Sequence, residues 1–113
     1  MTFNASLEMT DNEIAKITVS GELDASVAPL FKTEVENAIA QQAKRLVLLM
    51  QDLQFMSSAG LRVFIFAKQK MGPEVDVYVV EAQEQIKESL EMTGLSHSVI
   101  IMDEYDATEI ESI

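Results

Sequence analysis

The chain has 113 residues, a net charge of −11 and no cysteine. This length is typical of a single domain and too short for two separate cores. Negative charge repels phosphate backbones and anionic lipids, so we expect neither a nucleic acid nor a membrane as partner. The lack of cysteine excludes disulfides and thiolate chemistry. We expect a soluble cytoplasmic domain, because the N-terminus lacks a signal-peptide pattern and the longest apolar run, residues 46–50, cannot span a membrane.

The first part of the chain predicts a hairpin of two strands. Apolar and polar residues alternate over residues 3–9 and again over residues 15–19. A period of two is typical of a half-buried strand. The intervening Thr10, Asp11 and Asn12 favour a turn. We expect Gly21 to end the second strand.

A helical period begins at Val27. One helical face collects the apolar residues Val27, Leu30, Phe31, Val35, Ala38 and Ile39. Ser26 as N-cap would put Pro29 at the third helical position, where a missing N–H is tolerated, whereas Asp24 as N-cap would place the proline too deep.

The remaining elements alternate between strands and helices. Residues 46–50 are apolar on both sides, which predicts a central strand parallel to its neighbours. Further helices are predicted over residues 61–71, 82–92 and 106–113, and strands over residues 75–79 and 99–102. Gly72-Pro73 ends one helix, and Gly94 is expected to be a left-handed residue after the next.

This order of elements, β-β-α-β-α-β-α-β-α, predicts an α/β fold. We expect one domain over residues 1–113, with a mixed, mostly parallel sheet of about five strands and three to four helices.

The sequence offers no constellation of catalytic residues, so we expect a protein that is not an enzyme and has neither metal nor cofactor. The one histidine, His97, has no serine or aspartate at a catalytic spacing, and we expect it to be solvated. The four glycines are scattered and form no phosphate-binding loop. The acidic residues near the C-terminus lack the spacing of a calcium loop.

The segment of residues 51–61, QDLQFMSSAGL, is the informative one. Residues 51–57 are too polar for an ordinary strand, so the segment is predicted to be a loop before the second helix, where open α/β sheets place their sites. Two interpretations of Ser57 and Ser58 stay open: a serine that caps the helix, or a serine that accepts a phosphoryl group. A phosphate adds about −1.5 to −2 charges at neutral pH, and a helix N-terminus tolerates it.

Three motifs resemble one family, the STAS-domain anti-sigma-factor antagonists. Residues 55–61, FMSSAGL, are similar to the family's phosphorylation loop; residues 21–24, GELD, resemble its turn before the first helix; and residues 92–95, MTGL, resemble its segment after the third helix. With the order of elements, the resemblance covers nearly the whole chain.

The resemblance implies a phosphorylation-controlled partner switch. The unphosphorylated chain would bind a serine-kinase anti-sigma factor with a histidine-kinase-like ATPase fold. Phosphorylation would release that partner, and a PP2C-type phosphatase would reset the switch. The phosphoacceptor of the motif falls on Ser58. Ser57 is the alternative acceptor, because it replaces the acidic residue that usually precedes the acceptor.

The partner-binding surface is predicted to comprise Asp24, Ser26, Phe55, Met56, Ser57, Ala59, Gly60, Leu61 and Arg62. Phe55 or Met56 would supply an apolar contact, and Arg62 a charge for an acidic group of the partner. Gly60 would admit the partner's backbone or serve helix–sheet packing.

One family feature is absent, and other outputs stay open. Leu49 replaces the Asp or Asn that the family often has near the end of its central strand. Asp52 either substitutes for it or is an ordinary loop residue. The same fold could also control an output other than a sigma factor, or sense a small ligand.

Overall fold

The computed structural model describes residues 3–112, which form five strands, four α-helices and one 3₁₀ turn at Leu95–His97. The strands are β1 (Asn4–Met9), β2 (Ile14–Leu23), β3 (Arg45–Met56), β4 (Asp76–Val80) and β5 (Ile100–Met102). The helices are α1 (Ala28–Ala40), α2 (Ser58–Met71), α3 (Glu84–Met92) and α4 (Ala107–Ile110).

The strands form one mixed sheet in the order β1-β2-β3-β4-β5. The hairpin strands β1 and β2 are antiparallel, and every other neighbouring pair is parallel. The predicted α/β class, the mixed sheet and the central position of residues 46–50 in β3 are therefore confirmed.

Two cores lie on opposite faces of the sheet, because successive side chains of a strand point to opposite sides. The larger core, on the helix side, combines alternate strand residues such as Leu46, Leu48 and Met50 with the buried residues of α1, α2 and α3. The smaller core, which we call the back core, consists of Ile14, Val47, Tyr78, Val80 and Ile110.

Two strands are longer than predicted. One of them is β2, which continues through Gly21 to Leu23. The prediction that Gly21 ends the strand is wrong. The register with β3 shifts between Gly21 and Glu22, and Gly21 has a φ of +89°. A β-bulge with glycine in this conformation bends a strand without ending it.

Strand β3 was also predicted too short. It runs to Met56, so the prediction of a loop is wrong for residues 51–56. Parallel pairing with the extended β2 supports the strand, and Leu53 is fully buried while its polar neighbours are exposed. The last part of β3 extends past β4 and contacts α3 instead. There the Gln54 carbonyl accepts a hydrogen bond of 2.6 Å from Gln85 Nε2 of α3.

Helix α1 begins differently from the prediction. Val27, not Ser26, is the N-cap residue, and Pro29 occupies the second helical position. Asp24 organises the preceding turn, because its carboxylate accepts hydrogen bonds from the Ser26 amide and hydroxyl. Leu30, predicted to be inward, is 54% exposed.

The C-terminal elements follow the predicted order. Helix α3 begins at Glu84, two residues later than predicted, and buries Ile86 and Leu90 as expected. Gly94 has the predicted left-handed conformation, with a φ of +80°. Helix α4 covers only residues 107–110 of the predicted 106–113, and residue 113 lies outside the described residues. Within residues 3–112, no helix is both long and apolar enough to cross a membrane.

The back core depends on Ile110, which is 0% exposed. The Arg45 guanidinium donates hydrogen bonds to the carbonyls of Glu109 and Ile110, at 2.6 and 2.9 Å, and so ties α4 to β3. We expect Ile110→Ala to lower the free energy of unfolding by about 2–3 kcal/mol, because it removes buried methyl groups and leaves a cavity. Urea denaturation measures this loss.

The matched control is Thr108→Ala on the same helix, whose exposed side chain should change stability by less than about 0.5 kcal/mol. Equal effects of the two substitutions would show that α4 does not stabilise the back core.

Candidate functional site

Strands β2 and β3 end side by side, and the candidate site is built on that junction. Leu23 pairs with Met56 as the last residue of each strand. The next amide, Ser57 N, donates a hydrogen bond of 2.9 Å to the Leu23 carbonyl. The chain then enters α2 at once, so the start of this helix is fixed to the end of the sheet.

Gly60 makes this close approach of helix and sheet possible. A Cβ atom on Gly60 would lie 2.7 Å from Met56 Cγ and 2.8 Å from Leu23 Cδ2. Carbon atoms in proteins normally keep about 3.5–4.0 Å apart. Gly60 is buried, so the close packing of α2 on the strands accounts for a glycine at this position. No contact with a partner protein is needed to explain it.

The two serines differ in exposure. Ser57 is the N-cap residue of α2, and its carbonyl accepts hydrogen bonds from the amides of Gly60 and Leu61 at 3.0 and 3.2 Å. Its hydroxyl is buried and has no hydrogen-bond partner among the described residues. Ser58 is the first helical residue and is exposed. A serine therefore does occupy the N-cap position, as one interpretation predicted, but its side chain makes no capping hydrogen bond.

The turn that precedes α1 lies beside the start of α2. Asp24 and Ser26 are exposed, and their side chains are joined by a hydrogen bond of 2.6 Å. Hydrogen bonds from the Ser26 hydroxyl and amide lower the pKa of the Asp24 carboxyl from its ordinary value. The predicted proximity of this turn to the serine segment is confirmed, because Ala25 and Ala59 line the same groove.

That groove, which we call the α1–α2 groove, has a volume of about 380 Å³. Its walls include Ala25, Pro29 and Lys32 on one side and Ala59, Arg62 and Phe66 on the other. Lys32 Nζ lies 4.7 Å from the centre of the Phe66 ring, a cation–π distance that restrains the lysine at the wall. Periodicity revealed neither Lys32 nor Phe66 as a site residue, since an exposed lysine and a helical phenylalanine are ordinary in any amphipathic helix.

The predicted contact residues fall into three classes of exposure. Those that reach solvent are Asp24, Ser26, Phe55, Ser58 and Arg62; those half-buried are Ser57, Ala59 and Leu61; those buried are Met56 and Gly60. Phe55 is 48% exposed and Met56 only 8%, so Phe55 is the one available for an apolar contact.

Three other residues that the sequence singled out are not part of this predicted contact surface. Asp52 is an exposed residue of β3 and not a loop residue, and Leu49 is half-buried against the back core. His97 is exposed in the 3₁₀ turn.

Comparison with known proteins identifies relatives in sequence and in fold. The sequence profile of the STAS domain matches residues 7–108. An anti-sigma F factor antagonist from Paenibacillus polymyxa is 30% identical over 118 residues, an alignment that covers 97% of this chain and 98% of the relative.

Solved structures share the architecture. An anti-sigma factor antagonist from Mycobacterium paratuberculosis superposes with a TM-score of 0.87 at 23% identity, covering 97% of this chain and 95% of that one. The Bacillus cell fate determinant SpoIIAA, in its phosphorylated form, superposes with a TM-score of 0.72 at 20% identity, covering 96% and 97% of the two chains.

We expect Gly60→Ala to lower the free energy of unfolding by about 1–3 kcal/mol, because the added methyl group overlaps Met56 and Leu23. Thermal or urea unfolding measures the loss. The control is Gln69→Ala, at an exposed position of the same helix, which should stay within about 0.5 kcal/mol of the original chain. A stability unchanged by Gly60→Ala would contradict the close packing of α2 on the strand ends.

Proposed function

This chain belongs to the STAS domain family, among the anti-sigma factor antagonists, and from that premise we propose that it is a partner switch controlled by phosphorylation of Ser58. Its unphosphorylated form binds an anti-sigma factor that is also a serine kinase of the histidine-kinase-like ATPase fold. That binding frees the sigma factor. The observation that carries the proposal is the exposed Ser58 at the start of α2, on a junction made rigid by Leu23, Met56 and Gly60.

The covalent step is a phosphoryl transfer from ATP. The kinase moves the γ-phosphoryl group to Ser58 Oγ, the hydroxyl loses its proton, and ADP leaves. A PP2C-type phosphatase then hydrolyses the ester with water and returns the free serine and inorganic phosphate. The chain itself supplies no catalytic group in either direction, and we place the cycle in the cytoplasm.

The position of Ser58 explains why phosphorylation would release a partner without unfolding the domain. The N-terminus of a helix favours negative charge, so the phosphate leaves α2 intact. The same phosphate adds bulk and about −1.5 to −2 charges to the docking surface. A partner bound over Ser58, Phe55 and the Asp24 turn would lose contacts, and it would have to desolvate the charge of the phosphate.

We expect Ser58→Glu to abolish binding of the anti-sigma factor while the fold is retained. The measurement is a pull-down from the native lysate with original and variant chains as baits, and identification of captured proteins by mass spectrometry. Circular dichroism of each bait checks the fold. The matched control is Gln69→Glu, which adds the same charge to an exposed position of the same helix. Retention of the same kinase by the Ser58→Glu bait, or capture of no such kinase by the original chain, would contradict the proposal.

We expect the kinase to phosphorylate Ser58 and not Ser57, because the Ser57 hydroxyl is buried. With the captured kinase and ATP, Ser57→Ala should still gain one phosphate and Ser58→Ala none, as read by intact-mass spectrometry. Ser57→Ala should also fold normally, since it removes a buried hydroxyl that has no partner among the described residues. Loss of phosphate in Ser57→Ala alone would move the acceptor to Ser57.

A further inference from the structure

Helix α2 differs in charge from the rest of the chain. It carries three of the eight basic residues and none of the nineteen acidic ones. Within residues 3–112, Lys16, Lys44 and Lys87 each pair with a carboxylate, whereas Lys32 and Arg62 pair with none. Arg45, Lys68 and Lys70 also pair with no carboxylate among these residues, but only Lys32, on the α1 wall, and Arg62, on the α2 wall, line the α1–α2 groove. In this acidic protein, the groove next to Ser58 is therefore lined by two cationic residues and, among the described residues, by no acidic one.

The remainder of the groove is apolar, with small residues and the Phe66 ring between the two cations. Lys32 lies over that ring, and the cation–π contact favours this position. Such a surface complements a segment that combines apolar side chains with carboxylates. A basic segment would be attracted to the acidic remainder of this chain but repelled by the two cations of the groove.

Arg62 is also one helical turn from Ser58. Residues four apart on a helix have Cβ atoms about 5–6 Å apart on the same face. Both residues are exposed, so an arginine can turn toward a phosphoryl group on Ser58. Arginine binds phosphate through short, often bidentate, charge-assisted hydrogen bonds.

We propose that the α1–α2 groove binds an acidic segment of the anti-sigma factor through Lys32 and Arg62, and that phosphorylated Ser58 ends this binding by pairing with Arg62. The inference rests on the proposed function, and names the chemistry of the partner and the residue that detects the phosphate. In the free chain the two groove cations contribute two positive charges. A phosphate of about −1.5 to −2 charges cancels them, so the groove loses its attraction for carboxylates.

The groove is tested with a synthetic probe and without the natural partner. The probe is an eight-residue amphipathic peptide of leucine and glutamate, titrated into the ¹⁵N-labelled chain, and a peptide of leucine and lysine is the comparison. We expect the glutamate peptide alone to shift the amide resonances of Lys32, Arg62 and Phe66. Lys32→Gln and Arg62→Gln should each weaken the affinity for the glutamate peptide about threefold, which is the contribution expected of one exposed ion pair.

The matched control for the groove is Lys70→Gln, which removes the same charge from α2 at an exposed position more than three turns from Ser58 and outside the groove. Its affinity should equal that of the original chain. Equal weakening by Lys70→Gln, or resonance shifts elsewhere on the domain, would overturn the groove assignment. Self-association of the chain that Arg62→Gln abolishes would also overturn it, because the occupant would then be a second copy.

The second test follows the phosphate itself by ³¹P NMR, in a chain made with phosphoserine at position 58. Pairing with Arg62 stabilises the dianion, so the second acid dissociation constant of the phosphate should be about threefold higher than in Arg62→Gln. Lys70→Gln should match the original chain. Equal constants in the original chain and Arg62→Gln would overturn the pairing.

Both tests use only this chain and a peptide, so their failure would leave kinase binding and Ser58 phosphorylation standing. Failure of the pull-down would instead remove the partner switch while the phosphate pairing remained measurable.

Discussion

The contact of Gly60 with Leu23 and Met56 is the constraint on which the site depends. It brings α2 so close to the ends of β2 and β3 that even one methyl group on Gly60 would overlap its neighbours. The hydrogen bond from Ser57 to Leu23 fixes the same junction through the backbone. Because both are internal contacts, the site stands on a rigid base, and of its two serines Ser58 is exposed while the Ser57 hydroxyl is buried.

Charge distinguishes the surface beside this site from the rest of the chain. The chain is strongly acidic, yet α2 has no acidic residue, and Lys32 and Arg62 face each other across the α1–α2 groove. If Ser58 is phosphorylated as we propose, the effect would come from bulk and charge at the surface, because the N-terminus of a helix tolerates a phosphate. In the proposed switch, cancelling the local positive charge would therefore be sufficient, without a change of fold.

The strands of this sheet were predictable where the residue pattern within a strand indicates it. They were missed where a strand is stabilised only by pairing with its neighbour. Alternation and apolar runs predicted all five strands and the central place of β3. The extensions of β2 and β3 were missed, because each is stable only when paired with the other. Glycine at position 21 and polar residues at 51, 52 and 54 read as strand ends in sequence, but a bulge and one exposed face accommodate them.

By itself, the sequence determined the order of elements, the α/β class and the family resemblance, because short motifs and local periods indicate each of them. It also predicted Ser58 as the phosphoacceptor. Only the tertiary structure decided that the Ser57 hydroxyl is buried, that Met56 packs inward while Phe55 is exposed, and that Gly60 serves packing. It alone brought Lys32 of α1 opposite Arg62 of α2. The physical reason is that burial and long-range charge depend on how separate elements meet, and residues thirty positions apart carry no local pattern that records their meeting.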